Sequence, residues 1–368
     1  MIKKVSDVAQ VAFKQLGRYQ NKKSEPIRTD REWLDEIFGG LLPGDIVTIA
    51  GSSGGGKSFE NQRLKNNIMN PELNPAAAEF IWLDFSMEMR FLSNIMRDLN
   101  QKLGKSKKRI LTEAFTDEEK ELVRKYNDSI TDGRFFIEEE VVTPQQFEQQ
   151  VDEFLDNFKD KKAIFISVDH IALTKASQDD KKGAVDAIVE VINRMKKKYK
   201  NSYWIILSQL NRGINARSKE KDNNSMPNRS DLYQSDTMFF ISDYVYVTHN
   251  PYRAGIKAFG RVNEEVYSYL HEHFIESKNG RASFDTLGKI FYIILKSREN
   301  DSIFRDIFID DIPIPNKEKY RMPDELKEAE MSAPRFTVDM TQLPKLNQNT
   351  SAMQNAAGEG FDEEPDPF

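Results

Sequence analysis

Apolar residues along this chain recur in two alternating patterns. Short runs rich in β-branched and aromatic residues predict buried strands. These runs are 46–50, 80–85, 163–169, 203–208, 244–247 and 290–296. Between several of them, apolar residues three and four positions apart predict helices, as in 147–158 and 185–195. Because continuously apolar strands alternate with helices, the pattern predicts an α/β fold with a mostly parallel, twisted sheet flanked by helices.

The two ends of the chain differ from this middle part. Residues 2–20 have helical spacing and precede the polar segment NKKSEP, which predicts one amphipathic helix on a linker. Its apolar stripe must be buried on its own domain or on a neighbouring subunit. From about residue 316 the pattern dissolves, and we expect a flexible, disordered acidic tail. The predicted parts are therefore a helix and linker at 1–28, one large α/β domain at 29–315 and a tail at 316–368.

A glycine-rich segment follows the first predicted strand. Residues 51–58 read GSSGGGKS and fit G-x-x-x-x-G-K-[ST]. Such a loop turns its backbone N–H groups around phosphates, and the next helix adds its positive end. We assign nucleotide binding to Gly51, Ser52, Ser53, Gly54, Gly55, Gly56, Lys57 and Ser58. Lys57 would reach the β and γ phosphates and Ser58 would bind Mg²⁺. A flexible glycine turn is the alternative, and the strand, the lysine and the serine together favour ATP and Mg²⁺ as cofactors.

Three polar side chains stand at the ends of other predicted strands. Asp169 ends one strand and is the carboxylate expected to support Mg²⁺. Glu88 follows the strand at 80–85 and could polarise a water for attack on the γ phosphate. Gln209 follows the strand at 203–208 and could sense that phosphate. Each could be an ordinary polar residue at a strand end, but three of them beside a phosphate loop favour ATP hydrolysis.

Composition narrows the class further. The chain has no cysteine, which excludes disulfides and zinc-thiolate sites and favours a reducing cytoplasm. No apolar stretch approaches the length of a membrane span, so we expect no membrane contact. The net charge of −6 argues against a nucleic-acid partner, but the final GEGFDEEPDPF is strongly acidic and hides basic segments at 102–109 and 194–200.

Four short segments, in order, resemble the ATPase domain of DnaB-type replicative helicases, within the RecA-like class. They are FSMEM at 85–89, SQLNR at 208–212, SDLYQSD at 230–236 and KSR at 296–298. The resemblance implies a RecA-like P-loop NTPase core. It implies the catalytic-base role for Glu88 and the γ-phosphate switch for Gln209, and it makes Lys296 and Arg298 fingers inserted into a neighbour's ATP site. The front helix resembles the family's linker helix, which docks on the adjacent subunit.

The same resemblance implies contact with single-stranded DNA. The residues assigned to it are Arg212, Arg217, Arg229, Tyr233 and Gln234. A solvated loop is the alternative for the basic residues after SQL. Where the family usually reads SDLRESG, this chain has Tyr233, Gln234 and Asp236, so the grip on the strand is expected to be weaker or differently placed. His170 replaces a usual tyrosine, and 252–288 is predicted to be an inserted helix, on which His271 and His273 would point apart and bind no metal.

These features predict an ATP-dependent replicative helicase, expected as a homohexameric ring, with 5′ to 3′ movement implied by the resemblance alone. A RecA-like recombinase or annealing ATPase is one alternative, and an ATP-gated loader or adaptor without unwinding activity is another. The N-terminal domain that many family members use to engage primase is expected to be absent, which would suit a phage protein acting in its host's cytoplasm. A primase, a loader or a single-stranded DNA-binding protein could bind the N-terminal helix or the acidic tail. The terminal FDEEPDPF resembles the tip of bacterial single-stranded DNA-binding proteins, with a solubilising tail as the alternative.

Overall fold

In a computed structural model, the described residues are 4–21, 25–37, 39–171, 181–211, 213–214, 227–232, 236–254, 258–259, 275–276, 282–298 and 307–311. Their main feature is an eight-stranded sheet with the order β11-β10-β6-β1-β5-β4-β2-β3. Its strands are β1 Ile46–Gly51, β2 Phe80–Ser86, β3 Phe135–Glu138, β4 Ala163–Asp169, β5 Ser202–Gln209, β6 Tyr244–His249, β10 Lys289–Ser297 and β11 Ile307–Asp311. All six predicted strands are present.

Seven strands of this sheet run in one direction and β10 runs in the other. β1 lies between β5 and β6 and is parallel to both. β2 lies between β3 and β4, again in parallel register. β10 pairs antiparallel with β6, and β11 pairs antiparallel with β10. The carboxyl ends of β1, β2, β4 and β5 therefore meet at one edge, whereas the carboxyl end of β10 lies at the opposite edge.

Helices cover both faces of the sheet, as the pattern predicts. They are α1 Val5–Gln20, α2 Lys57–Ile68, α3 Phe91–Leu103, α4 Lys107–Thr112, α5 Asp117–Ile130, α6 Pro144–Asn157, α7 Lys181–Lys198 and α8 Asp236–Ile241. Leu64 of α2 joins the core on one face, and Phe147 of α6 and Ile188 of α7 join the core on the other. Strand residues alternate between the two cores, with Ile205 in the first and Trp204 in the second. The RecA-like fold class is confirmed.

Local sequence signals explain several boundaries. The Thr143 hydroxyl accepts a hydrogen bond from the backbone N–H of Gln146, and the side-chain oxygen of Gln146 accepts one from the backbone N–H of Thr143. Pro144 begins α6. This is the capping box that TPQQ encodes. α1 forms where the helical spacing lies, yet Val5, Val11, Phe13 and Leu16 on it are exposed. Its apolar stripe is therefore not buried by the described part of its own chain.

The segment 252–288 contains strands in its described parts, not the helix we expected throughout it. β7 Ala258–Phe259, β8 Ile275–Glu276 and β9 Ala282–Asp285 form a small antiparallel sheet in the order β7-β9-β8. The rest of the predicted helix, including His271 and His273, lies outside the described residues. The predicted tail at 316–368 also lies outside them. Across the described ranges, no helix combines the length and apolarity that a membrane crossing requires.

A buried ionic cluster fixes α2 against the sheet. Arg31 and Glu60 are almost fully buried and lie 3.1 Å apart. Asp310 of β11 accepts hydrogen bonds from Arg31 at 2.7 Å and from Arg63 of α2 at 2.6 Å. Removing one member of such a cluster leaves an uncompensated buried charge, which is strongly destabilising. The cluster thus ties the first two turns of α2 to β11 and to the segment before β1.

Candidate functional site

The glycine-rich loop connects β1 to α2 in a conformation that depends on its glycines. Gly54 and Gly56 have φ angles of +75° and +106°, which disfavour side chains. A Cβ on Gly51 would lie 2.7 Å from the carbonyl oxygen of Thr248, and one on Gly55 would lie 3.0 Å from that of Ser52. The loop therefore forms a backbone cradle whose space is kept by missing side chains, as a phosphate site requires.

Lys57, the first residue of α2, folds back over this cradle. Its ammonium group donates hydrogen bonds to the carbonyl oxygens of Gly51 at 2.9 Å and Ser52 at 3.1 Å. Burial lowers the pKa of Lys57, and the nearby carboxylates of Asp169 and Glu88 oppose that shift. The lysine thus lies within the loop that it is predicted to serve.

Ser58 and Asp169 form the part of the site suited to a metal ion. The Ser58 hydroxyl donates to Oδ2 of Asp169 at 2.8 Å. Oδ1 of the same carboxylate is buried and makes no hydrogen bond. Burial raises the pKa of Asp169 to about 6, and the hydrogen bond from Ser58 acts in the opposite direction. A hydroxyl and a carboxylate with a spare oxygen are the hard ligands that Mg²⁺ prefers, so these residues fit that ion.

Glu88, His170 and Gln209 lie side by side at the ends of β2, β4 and β5. The backbone N–H groups of Met87 and Glu88 donate to the carbonyl oxygen of Asp169 at 2.9 and 3.3 Å. Nε2 of His170 lies 3.9 Å from Oε2 of Glu88 and 3.0 Å from Nε2 of Gln209. Burial lowers the pKa of His170, with Glu88 opposing, so the imidazole is neutral near pH 7 and accepts a hydrogen bond from Gln209.

His170 is therefore more than a departure from a usual tyrosine. It connects the predicted base with the predicted γ-phosphate switch, a role that sequence reasoning missed. No spacing rule pointed to it, because the contact depends on the adjacent positions of β4 and β5 in the sheet. Knowing the strand order would have revealed it.

A cleft of about 440 Å³ opens beside the loop and includes residues that the sequence did not single out. Arg253 donates to the carbonyl oxygen of Gly54 at 3.4 Å. Asp98 of α3 accepts hydrogen bonds from Tyr126 at 2.6 Å and from Gln62 of α2 at 2.8 Å, and burial raises its pKa. Arg253 follows β6, whose position beside β1 brings it to the loop.

Lys296 and Arg298 are not part of this cleft. Ser297 at the end of β10 pairs with Tyr244 at the start of β6, whereas Thr248 near the end of β6 contacts the loop. Four residue steps along a strand span about 13 Å. The structure thus separates the two predicted fingers from the phosphate cradle of their own chain.

Both fingers bind the carboxyl end of α8. Lys296 donates to the carbonyl oxygens of Phe239 at 2.6 Å and Phe240 at 3.1 Å. Arg298 donates to Phe240 O at 2.8 Å and pairs with Asp243 at 2.8 Å. Burial lowers the pKa of Lys296 to about 8, and the positive charge of Arg298 adds to the shift.

Of the five residues assigned to DNA, the structure describes one. The guanidinium of Arg229 lies over the ring of Phe239, 4.3 Å from its centre, at the same edge as Lys296 and Arg298. Arg212, Arg217, Tyr233 and Gln234 lie outside the described residues. The DNA assignments stay predictions.

Comparison with known proteins agrees with this geometry. A family model described as the DnaB-like helicase C terminal domain matches residues 26–285, a range that holds the loop, Glu88, Asp169 and Gln209 and ends before Lys296. No curated protein sequence matches the chain.

Two solved structures share the fold. One described as the ATPase domain of G40P has a TM-score of 0.59 and 14% identity, and the match covers 86% of this chain and 100% of that one. The other, described as a DnaB-like replicative helicase and its interactions with primase, has a TM-score of 0.56 and 16% identity. That match covers 84% of this chain and 64% of that one. Since the family model spans well over half of the residues, the chain belongs to the DnaB-like helicases and contains the C-terminal domain of that family.

Proposed function

We propose that this chain is the motor subunit of a ring-forming DNA helicase, which hydrolyses ATP at subunit interfaces and uses the energy to move on single-stranded DNA and separate the duplex. The observation that supports this most is the position of Lys296 and Arg298. They lie at the edge of the sheet opposite the cradle of their own chain, so they can act only on a nucleotide held by another copy. A head-to-tail contact of this kind forms a ring when its rotation closes, and we propose that it closes here as a homohexamer.

The nucleotide side of each interface is supplied by the loop and its neighbours. Backbone N–H groups of 51–58 would hold the phosphates, and Lys57 would exchange its carbonyl partners for phosphate oxygens. Ser58 and Asp169 would hold Mg²⁺, which neutralises charge on the β and γ phosphates when bound. The fit of their oxygens supports this assignment.

Glu88 is the proposed base. Its side chain is 43% exposed in the cleft, where it can accept a proton from an attacking water. Gln209 is the proposed switch, because its amide contacts His170 and stands next to Gly51 in the sheet register. A change at the γ phosphate could thus reach the segment after β5, where DNA contacts are assigned to Arg212 and Arg217.

The exposed stripe of α1 also supports assembly. Val5, Val11 and Phe13 are more than half exposed, although each is large and apolar. An amphipathic helix in this state is stabilised by burial against another surface. We propose that α1 docks on the adjacent subunit of the ring.

The test is unwinding of a forked DNA by the wild-type chain and by Glu88→Gln, with the mass of the assembly measured in the presence of ATP. We expect directional unwinding by a ring of the wild-type chain, and a ring of normal mass without turnover for Glu88→Gln. Open filaments that form joint molecules would favour a recombinase or annealing ATPase. Slow hydrolysis that single-stranded DNA does not stimulate would favour a loader or adaptor. Either result would overturn the helicase proposal.

A further inference from the structure

Phe240 is exposed at the place where both fingers are attached. Its side chain is 62% exposed, whereas the adjacent Phe239 is 9% exposed and packs into a core cluster. Lys296 and Arg298 both donate to the carbonyl oxygen of Phe240. The guanidinium of Arg229 lies 5.3 Å from the Phe240 ring centre. An exposed phenyl ring thus has one cation, Arg229, beside it, and its backbone carbonyl oxygen binds two more, Lys296 and Arg298.

The attachment of the fingers limits what can cover this ring. If Arg298 reaches a phosphate on a second copy, that phosphate must lie within about two arginine side-chain lengths of the Phe240 backbone, because the guanidinium now binds there and can only swing about its own Cα. The surface around the phosphate must then come to the Phe240 ring as well. The occupant is therefore the rim of the nucleotide cleft on another copy of this chain.

Charge complementarity favours the same partner. The edge that holds the cradle presents the exposed carboxylates of Glu88, Glu139 and Glu140 at the ends of β2 and β3. The opposite edge presents Arg229, Lys296 and Arg298, with Asp243 as their counter-ion. Opposite charges on the two edges steer them together and disfavour contact between like edges.

We propose that Phe240 is a subunit-contact residue, which packs on the rim of the neighbouring copy's nucleotide cleft and thereby seats Lys296 and Arg298 beside the phosphates. This inference rests on the proposed function, since it requires the fingers to act between copies. Buried aromatic residues next to arginine are typical of the energetic centres of protein interfaces. By packing on the neighbour, Phe240 would fix the position of the backbone carbonyl oxygens that bind Lys296 and Arg298 in the free subunit. It would thereby set the position of both fingers relative to the neighbour's phosphates.

The absence of cysteine gives a direct test. Phe240→Cys creates a single thiol, and Leu122→Cys creates the control on α5, where Leu122 is exposed and no residue lines the cleft. A small amount of either variant is mixed with excess wild-type chain, so that wild-type subunits sustain assembly, and thiol alkylation is timed with and without a non-hydrolysable ATP analogue. We expect protection of about tenfold or more at position 240, because thiol reactivity depends on access, and no protection at 122.

A second variant measures the contact itself. Phe240→Ala should raise the subunit concentration needed for half-assembly by about tenfold, as loss of an interface aromatic does, while Phe240→Leu should lose less. Leu122→Ala should assemble as the wild-type chain does. If the thiol at 240 stays reactive in assembled rings, or if Phe240→Ala assembles and hydrolyses ATP normally, the contact is absent.

Failure of this inference differs from failure of the proposed function. Arg298→Ala without turnover, together with an unprotected thiol at 240, would overturn the Phe240 contact and leave the shared ATP site standing. Full turnover by Arg298→Ala with a protected thiol would establish the contact and overturn the assignment of Arg298 as a finger.

Discussion

The two edges of the central sheet differ in how their polar side chains are bound. The nucleotide edge is where β1, β2, β4 and β5 end, and the finger edge is where β10 ends. At the nucleotide edge, the ends of four parallel strands bring together a loop, a lysine, a hydroxyl and the carboxylates of Glu88 and Asp169, and one oxygen of Asp169 is left without a hydrogen bond. At the finger edge, Lys296 and Arg298 already bind partners of their own chain, namely backbone carbonyl oxygens at the end of α8 and, for Arg298, Asp243. The first edge is suited to a ligand, whereas the second is held by its own chain. Under the proposed function, one copy thus holds the parts for catalysis but cannot bring them together.

The largest effect is expected from removing the guanidinium at the finger edge, which tests whether that edge is needed for ATP turnover. Arg298→Ala should lower ATP turnover by about a thousandfold or more while nucleotide binding is retained, because an arginine finger stabilises charge in the transition state. Steady-state hydrolysis and binding of a fluorescent ATP analogue measure the two effects.

Mixing variants then separates action between copies from action within one. Arg298→Ala keeps its own Glu88, and Glu88→Gln keeps its own finger, so roughly a quarter of the interfaces in an equal mixture hold both intact parts. Turnover should reappear in the mixture. A mixture as inactive as its components would place the finger within its own chain.

At the nucleotide edge, one added methyl group should disrupt the glycine-rich loop. In Gly51→Ala, the new Cβ would lie 2.7 Å from the carbonyl oxygen of Thr248, so the loop must shift. Overpacking of this kind costs about 1–3 kcal/mol, and we expect nucleotide affinity to fall about tenfold or more. Gly17→Ala is the matched control, since its Cβ meets nothing within 4 Å. Equal affinity for both variants would show that the cradle tolerates displacement.

The pH dependence of turnover can sharpen the comparison at the finger edge. Because burial and Arg298 lower the pKa of Lys296 to about 8, its ammonium charge is present below that pH and is lost as the pH rises through it. Between pH 7 and 9 the charged fraction falls about tenfold, and turnover that needs this charge should fall with it. Lys296→Arg keeps its charge and should lack this component of the decline. Superimposable pH profiles would contradict a role for the ammonium.

The smallest expected effect concerns Arg253. Its hydrogen bond to the carbonyl oxygen of Gly54 places a cation beside the cradle, so Arg253→Ala should raise the KM for ATP about fivefold, as expected for the loss of one ordinary hydrogen bond. Arg124→Ala, an exposed arginine on α5, is the control. A change in kcat with constant KM would assign Arg253 to the reaction step instead.

How far the sequence predicts this molecule depends on how local each signal is. GSSGGGKS lies within eight residues, and Asp169, Glu88 and Gln209 lie where apolar strands stop, so the cleft could be predicted from short patterns. β3 was missed because its apolar run is only FFI before three glutamates, and β11 because IFIDD is short and half polar. The contacts of His170 and Arg253 depend on which strands are neighbours. No sequence pattern pointed to Phe240, because its exposure depends on the tertiary structure.

The hydrogen bonds that Lys57 makes inside its own loop affect the net affinity for a nucleotide. Since the ammonium already has two carbonyl partners at 2.9 and 3.1 Å, an arriving triphosphate trades one set of hydrogen bonds for another, and its net gain in affinity is modest. The same carbonyls are ready to recapture the lysine when the spent nucleotide leaves. The loop can therefore satisfy the lysine both with and without a bound nucleotide, which would suit repeated binding and release.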